Sequence, residues 1–154
     1  MMTRVATTED APLIADLVNA AFHVESFFKI GDRTSVAEIL ELMDGGEFLT
    51  LEEPPGTAAG CVYLTIHEDR AYFGMLSIDP ARQGRGFGRQ LIDAVEARGR
   101  ERGGRYMDIH IVNLREELPP FYRKFGYLEN GTRPFSQTER STRPCHFIVM
   151  TKAL

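Results

Sequence analysis

No stretch of this 154-residue chain is apolar for long enough to cross a bilayer. Its first residues, Met1-Met2-Thr3-Arg4-Val5, lack the apolar core of a secretory leader. Neither a membrane partner nor export is therefore expected. Cysteine is scarce. Cys61 and Cys145 lie far apart in apolar contexts, and they read as reduced core thiols of a cytoplasmic protein rather than as a disulfide. No cysteine–histidine cluster has metal-ligand spacing, so no metal is expected. Positive charge is not in excess either. Lys and Arg number 18 against 22 Asp and Glu, a net charge of −4, which argues against a chain built as a whole to bind nucleic acid. There is no internal repeat, linker or low-complexity segment. With 43% hydrophobic and 26% charged residues, the chain has the composition of one globular domain, residues 1–154, with a real core.

What is present is a regular succession of elements. Residues 4–7 read as a short strand, and Thr7 or Thr8 is placed to cap a helix with Asp10 in capping-box position and Pro12 in the first turn. Ile14, Leu17, Val18, Ala21 and Phe22 then recur at helical spacing. Ser35 caps a second helical pattern, Val36, Ile39, Leu40 and Met43, stopped by Gly45-Gly46. Strands are expected over 48–51, 59–66 and 71–78. Their connections are too short for crossover helices, so they form an antiparallel meander. A helix with Phe87, Leu91, Ala94 and Val95 on one face follows, with Glu96 and Arg100 as an i,i+4 pair on its surface and Gly103-Gly104 at its end. Met107, Ile109 and Ile111 alternate as a strand. A short helix covers 118–125, a strand follows Gly126-Tyr127, a polar stretch runs over 136–143, and a last strand covers 145–150. The pattern is mixed α/β or α+β in one domain.

Gln83-Gly84-Arg85-Gly86-Phe87-Gly88 joins a strand to a helix. Glycines at a helix start let a ligand approach the backbone, and the first N–H groups of the helix point at it, which suits phosphate. Two familiar phosphate motifs do not match. A P-loop carries Lys-Ser or Lys-Thr after its last glycine, whereas Arg89-Gln90 follows Gly88. The dinucleotide fingerprint G-x-G-x-x-G would place its third glycine at Arg89 or at Leu91. Around the loop, Arg82, Arg85, Arg89, Arg98, Arg100, Arg102 and Arg105 face only Asp93, Glu96 and Glu101 in the same stretch. Such a patch either steers an anionic ligand or is the solvated face of a helix.

The run Leu76-Ser-Ile-Asp-Pro-Ala-Arg-Gln-Gly-Arg-Gly-Phe-Gly-Arg-Gln-Leu-Ile92 closely resembles the acetyl-CoA-binding motif of the GNAT acetyltransferase superfamily. That motif reads Gln/Arg-x-x-Gly-x-Gly/Ala, here Gln83, Gly86 and Gly88, after an apolar strand end, here Leu76, Ile78 and Pro80. Phe121-Tyr122-Arg123-Lys124-Phe125-Gly126-Tyr127 resembles the tyrosine-bearing helix of the same superfamily. The resemblance extends through the element order of nearly the whole chain. It implies the GNAT fold, a mixed, mostly antiparallel sheet of about six or seven strands flanked by about four helices. It also implies an N-acetyltransferase that moves the acetyl group of acetyl-CoA to a primary amine of a small molecule or peptide by direct attack in a ternary complex. Homodimers occur in the superfamily.

Roles carried over by resemblance are as follows. Backbone N–H groups of Gly84, Arg85, Gly86, Phe87, Gly88 and Arg89, with Gln83, cradle the pyrophosphate. Backbone groups of Leu76 and Ile78 hold the pantetheine arm like an added strand. Asn113 contacts that arm, although Pro119-Pro120 and a long spacing separate it from Tyr122. The acyl group threads a gap where the strands over 71–78 and 106–112 splay. Tyr122 protonates the departing thiolate. The glutamate that many members carry in the strand before the loop is missing from Phe73-Gly74-Met75-Leu76, so His67, Glu68, Asp108, His110 or a water chain stands as base. Phe22, Glu25, Phe27 and Phe28 are candidates to meet the acceptor, the two adjacent phenylalanines either forming an apolar pocket or closing the core. Cys61 has no neighbouring histidine to make it an acyl-carrying nucleophile. Two alternatives stand beside this reading: an acyl-CoA-binding module without catalysis, and an arginine-rich nucleic-acid-binding domain.

Overall fold

The apolar periodicity of residues 14–22 and 36–43 produces two helices, α1 (Ala11–Phe22) and α2 (Val36–Gly45). Each is started by a side chain near its N-terminus. The Asp10 carboxylate accepts the Thr7 N–H at 2.8 Å in the turn before α1, and Ser35 Oγ accepts the Glu38 N–H at 3.2 Å in α2. The computed structural model describes residues 2–135 and 140–154; the rest of the polar stretch, 136–139, lies outside the described residues.

The strands are β1 (Met2–Val5), β2 (Glu47–Glu52), β3 (Ala58–His67), β4 (Arg70–Ile78), β5 (Tyr106–Val112), β6 (Leu128–Pro134) and β7 (His146–Ala153). They form one seven-stranded sheet in the order β1-β2-β3-β4-β5-β7-β6. The expected meander is there: β2, β3 and β4 pair antiparallel. Helix α3 (Phe87–Glu101) crosses from β4 to β5, so those two strands run parallel. The remaining pairs are antiparallel, and the short helix α4 (Leu118–Arg123) follows β5.

Period-two alternation divides the core between the two faces. Val62 and Leu64 of β3 pack with Leu91, Ile92 and Val95 of α3, together with Met107, Ile109, Tyr127 and Met150. Cys61 and Tyr63 point the other way, onto Ile14, Val18 and Ile39 of α1 and α2. The result is a three-layer sandwich in which β3 is buried on both sides. Among the described residues no helix is long and apolar enough to cross a membrane.

Glu96 departs from the expected surface pair. It is only 4% exposed and accepts a 2.8 Å hydrogen bond from the Tyr127 hydroxyl and a 2.9 Å ionic bond from Lys152 Nζ. Arg100 approaches it no closer than 4.0 Å. The helical spacing is correct, but this face of α3 turns toward β7, where Lys152 waits.

Candidate active site

The sheet opens where its one parallel pair is. β4 and β5 are in register at Arg70/Tyr106, Ala71/Met107 and Tyr72/Asp108, and the pairing stops there. β4 also carries a bulge: the register on β3 shifts between Cys61 and Tyr63, and Met75 takes a left-handed φ of +54°. Twist and bulge together turn the C-terminal half of β4 away from β5. Between them lies a cavity of about 820 Å³. Its walls include Leu76 and Ile78 of β4, Ile109 and Ile111 of β5, the glycine loop, and Tyr122 of α4.

At one end of the cavity the glycine loop turns into α3. Gly84 and Gly86 hold φ of +81° and +78°, conformations an L side chain resists. Gly88 is different. It sits in the first turn of α3 without a positive φ, and a Cβ built there meets no atom within 4 Å. Nothing in the fold calls for glycine at 88; what its bare Cα leaves clear is the approach to the start of α3. Gln83, Gly84, Gly86, Phe87, Gly88 and Arg89 all border the cavity, whereas the Arg85 side chain does not.

Four of the seven arginines of the patch fall into two groups. Arg98 and Arg102 turn away and pair with Glu47 of β2 at 2.8 and 3.1 Å. Arg82 and Arg89 stay at the loop, Arg82 donating to the Glu53 carbonyl at 2.6 Å with Asp79 at 3.7 Å, and Arg89 lying over the Phe125 ring at 5.3 Å. The solvated-face reading fits the first group, and the second is available to an anion.

Tyr122 reaches the middle of the cavity from α4. Its ring packs on Phe121, Phe73 and Tyr127, and burial pushes its phenol well above the ordinary value, so the hydroxyl stays protonated. The Tyr122 hydroxyl has no hydrogen-bond partner among the described residues. Of the four candidate bases, His110 alone borders this cavity. Its imidazole lies between Tyr72 and Phe147, with centroids 4.9 and 5.7 Å away, and burial lowers its pKa below the ordinary 6.5. Asp108 is held by Arg70 at 2.7 Å and by Thr151 at 2.6 Å. His67 ends β3, and Glu68 follows it in the β3–β4 turn.

Phe22 and Glu25 also border the cavity, together with Lys29, Arg33 and Arg115. Glu25 is buried and already engaged, accepting from Arg115 Nη1 at 2.9 Å. Phe28 is fully buried in a small core with Val112 and Phe135, and Phe27 is exposed beneath the Arg143 guanidinium; neither borders the cavity. Asn113 does not border it either. Its side-chain oxygen accepts the His146 N–H at 2.8 Å, which extends the β5–β7 pairing by one residue. Cys61 lies on the α1 face of β3, its thiol pushed up to about 12 by burial, and is inert as a nucleophile. Tyr72, Arg33, Arg115 and Glu117 are among the cavity residues not expected from the sequence, whereas Lys29 ends the segment expected to meet the acceptor.

A family model described as the acetyltransferase (GNAT) family matches residues 14–127. No curated protein gives a significant match. Among solved structures, the ribosomal-protein-alanine N-acetyltransferase of Brucella melitensis superposes with a TM-score of 0.79 at 21% identity, over 100% of both chains. yncA of Salmonella typhimurium, solved with its cofactor acetyl-CoA, gives 0.75 at 17% identity over 99% of this chain and 93% of that one. Rv2747 of Mycobacterium tuberculosis, in complex with CoA and NLQ, gives 0.73 at 18% identity over 100% and 99%. At such identities these three likenesses bear on the fold.

Proposed function

The chain belongs to the GNAT family of acetyltransferases, and on that premise we propose that it carries the acetyl group of acetyl-CoA to a primary amine within a ternary complex, as one domain over residues 1–154. The observation that carries this reading is Gly88, a helix-start glycine that the fold does not need and that leaves the approach to backbone N–H groups open. With Gly84 and Gly86 it forms a cradle that any Cβ would begin to fill, and Arg82 and Arg89 stand at its rim.

The thioester, when bound, supplies an acyl carbon open to attack. The chain's residues do the rest. N–H groups of residues 84–89 hold the pyrophosphate. β4, unpaired with β5 beyond Tyr72, offers its backbone at Leu76 and Ile78 to the pantetheine amides. His110, neutral near pH 7, takes the proton that the attacking amine loses. As the new C–N bond forms and the C–S bond breaks, Tyr122 gives its proton to the leaving sulfur. Tyr122 is the catalytic residue of this scheme. Phe22 and Glu25 border the space left for the acceptor. Asn113 keeps a place in it only through its amide nitrogen, since its oxygen is committed to His146.

The test is acetylation of a panel of amines, read by release of free thiol, on protein shown by calorimetry to bind acetyl-CoA. Thiol release dependent on one class of amine supports the proposal. Binding without transfer to any amine would leave a binding module.

A further inference from the structure

The acceptor end of the cavity is cationic. Lys29, Arg33 and Arg115 border it, against Glu25 and Glu117. Both carboxylates are already held by Arg115, Glu25 at 2.9 Å and Glu117 at 3.0 Å. A carboxylate neutralised in this way is a poor seat for an ammonium group. Glu25 also has Lys29 Nζ 3.7 Å from its other oxygen.

Lys29 and Arg33 are left with little compensation. The Lys29 side chain is only 9% exposed; among the described residues its one ion pair is that 3.7 Å approach, too long for a hydrogen bond, and its Nζ lies 5.8 Å from the centre of the Phe135 ring. Burial lowers its pKa, the charges of Arg33 and Arg140 lower it further, and Glu25 opposes them. The guanidinium of Arg33 lies over the Phe22 ring at 5.4 Å, and its one carboxylate among the described residues, Glu38, is 3.8 Å away and already accepts from Thr34 Oγ1 at 2.6 Å. Two poorly compensated cations beside a cavity are costly unless an anion arrives. The phosphates of the donor are accounted for at the glycine loop, on the far side of the splayed strands.

We infer that the acceptor is an amine that also carries a carboxylate, of the α-amino-acid type, with the carboxylate seated against Lys29 and Arg33 and the amine directed to the gap between β4 and β5. This rests on the proposed acetyl transfer and names its substrate class. The apolar Phe22 ring lies on the same wall, so the cationic pair recognises the acid group while the ring contacts the carbon skeleton. Charge-assisted hydrogen bonds to a carboxylate are strong enough for the acid group to dominate selection.

The test is binding, so that it does not depend on turnover. Protein saturated with coenzyme A is titrated in a calorimeter with each proteinogenic α-amino acid, with the matching amino-acid amide, and with the matching decarboxylated amine. The expected result is that at least one acid binds about tenfold or more tightly than its amide. Arg33→Met is expected to erase that difference with acetyl-CoA affinity and melting temperature unchanged, and Lys29→Met to do the same. Should Lys29→Met fail to fold, Arg33→Glu, at a partly exposed site, is expected to invert the preference. If no acid binds more tightly than its amide, or if the preference survives Arg33→Met and Arg33→Glu, the inference is overturned. Acid-selective binding with no thiol release from acetyl-CoA would sink the proposed transfer and leave the anion site standing. Acetylation of amides and plain amines in preference to acids would do the reverse.

Discussion

Tyr122 and Tyr127 pack edge to face with their ring centroids 6.0 Å apart, and among the described residues only one of the two hydroxyls has a partner. Tyr127 donates to the buried Glu96 at 2.8 Å. Tyr122 donates to nothing among the described residues and faces the cavity. One ring of the pair is fastened for stability, and the other keeps its proton at hand.

The two phenylalanine variants should therefore differ in kind. Tyr127→Phe strips a hydrogen bond from a buried carboxylate and is expected to destabilise the protein by about 1.5–3 kcal/mol. Tyr122→Phe is expected to change stability by less than about 1 kcal/mol while lowering kcat more than it changes KM. Chemical denaturation of both variants and steady-state kinetics of the second are the measurements. An unchanged kcat, with chemistry rate-limiting, would remove Tyr122 from the mechanism.

Gly88 separates folding from binding. Gly88→Ala adds a methyl group where nothing touches it, on a helical residue. Stability is expected to hold or rise by up to about 1 kcal/mol, whereas acetyl-CoA affinity falls. Gly86→Trp adds φ strain to the same obstruction and should abolish binding. Melting curves and calorimetry on Gly88→Ala decide the matter, and wild-type affinity in that variant would mean that the start of α3 does not approach the donor.

His110 sets an expected pH profile. Burial, and to a lesser degree Arg133, lower its pKa, while Asp108 opposes them. Above that value the imidazole is neutral and accepts a proton; below it, the base is blocked. The acidic limb of kcat/KM should lie below pH 6.5, and His110→Asn should lower kcat by about 10²–10⁴-fold and flatten that limb. A limb that persists unchanged in the variant would assign the titration to another group.

Arg4 ties β1 to the turn before α1 through both oxygens of Asp10, at 2.9 Å each. The pairing holds Asp10 at about 2, down from 3.8. A carboxylate depressed on folding stabilises the protein above its unfolded pKa and loses that contribution as the pH falls through its folded one. The window is therefore about pH 4 down to about 2, and the partly exposed pair contributes at most about 1 kcal/mol. Urea melts of wild type and Arg4→Met should differ above pH 4 and converge near pH 2. A difference that does not vary with pH would point to lost packing instead.

What could be read along the chain was what depends on near neighbours. The periodicity of Ile14, Leu17 and Val18, the Ser35 cap and the glycine run fix local geometry by themselves, and the element order carried the family resemblance. The opening between β4 and β5 was expected only through that resemblance. Glu96 was misplaced because its spacing to Arg100 is local while its true partner, Lys152, is 56 residues away. Phe28 was left between pocket and core for a similar reason, since its burial depends on Val112 and Phe135. Of the cationic acceptor wall, only Lys29 lay in a segment expected to meet the acceptor. Lys29, Arg33 and Arg115 come from two segments that meet only after the sheet has formed.

The three-rung ladder between β4 and β5 gives this sheet a pair of edges in its interior. Edge strands are ordinarily a hazard, because any passing strand can add to them. Here the edges face each other across a cavity of about 820 Å³ bordered by residues of α1, α3 and α4, a space for a ligand rather than for a folded neighbour. The sheet thereby leaves strand addition possible for a thin linear molecule and denies it to other proteins.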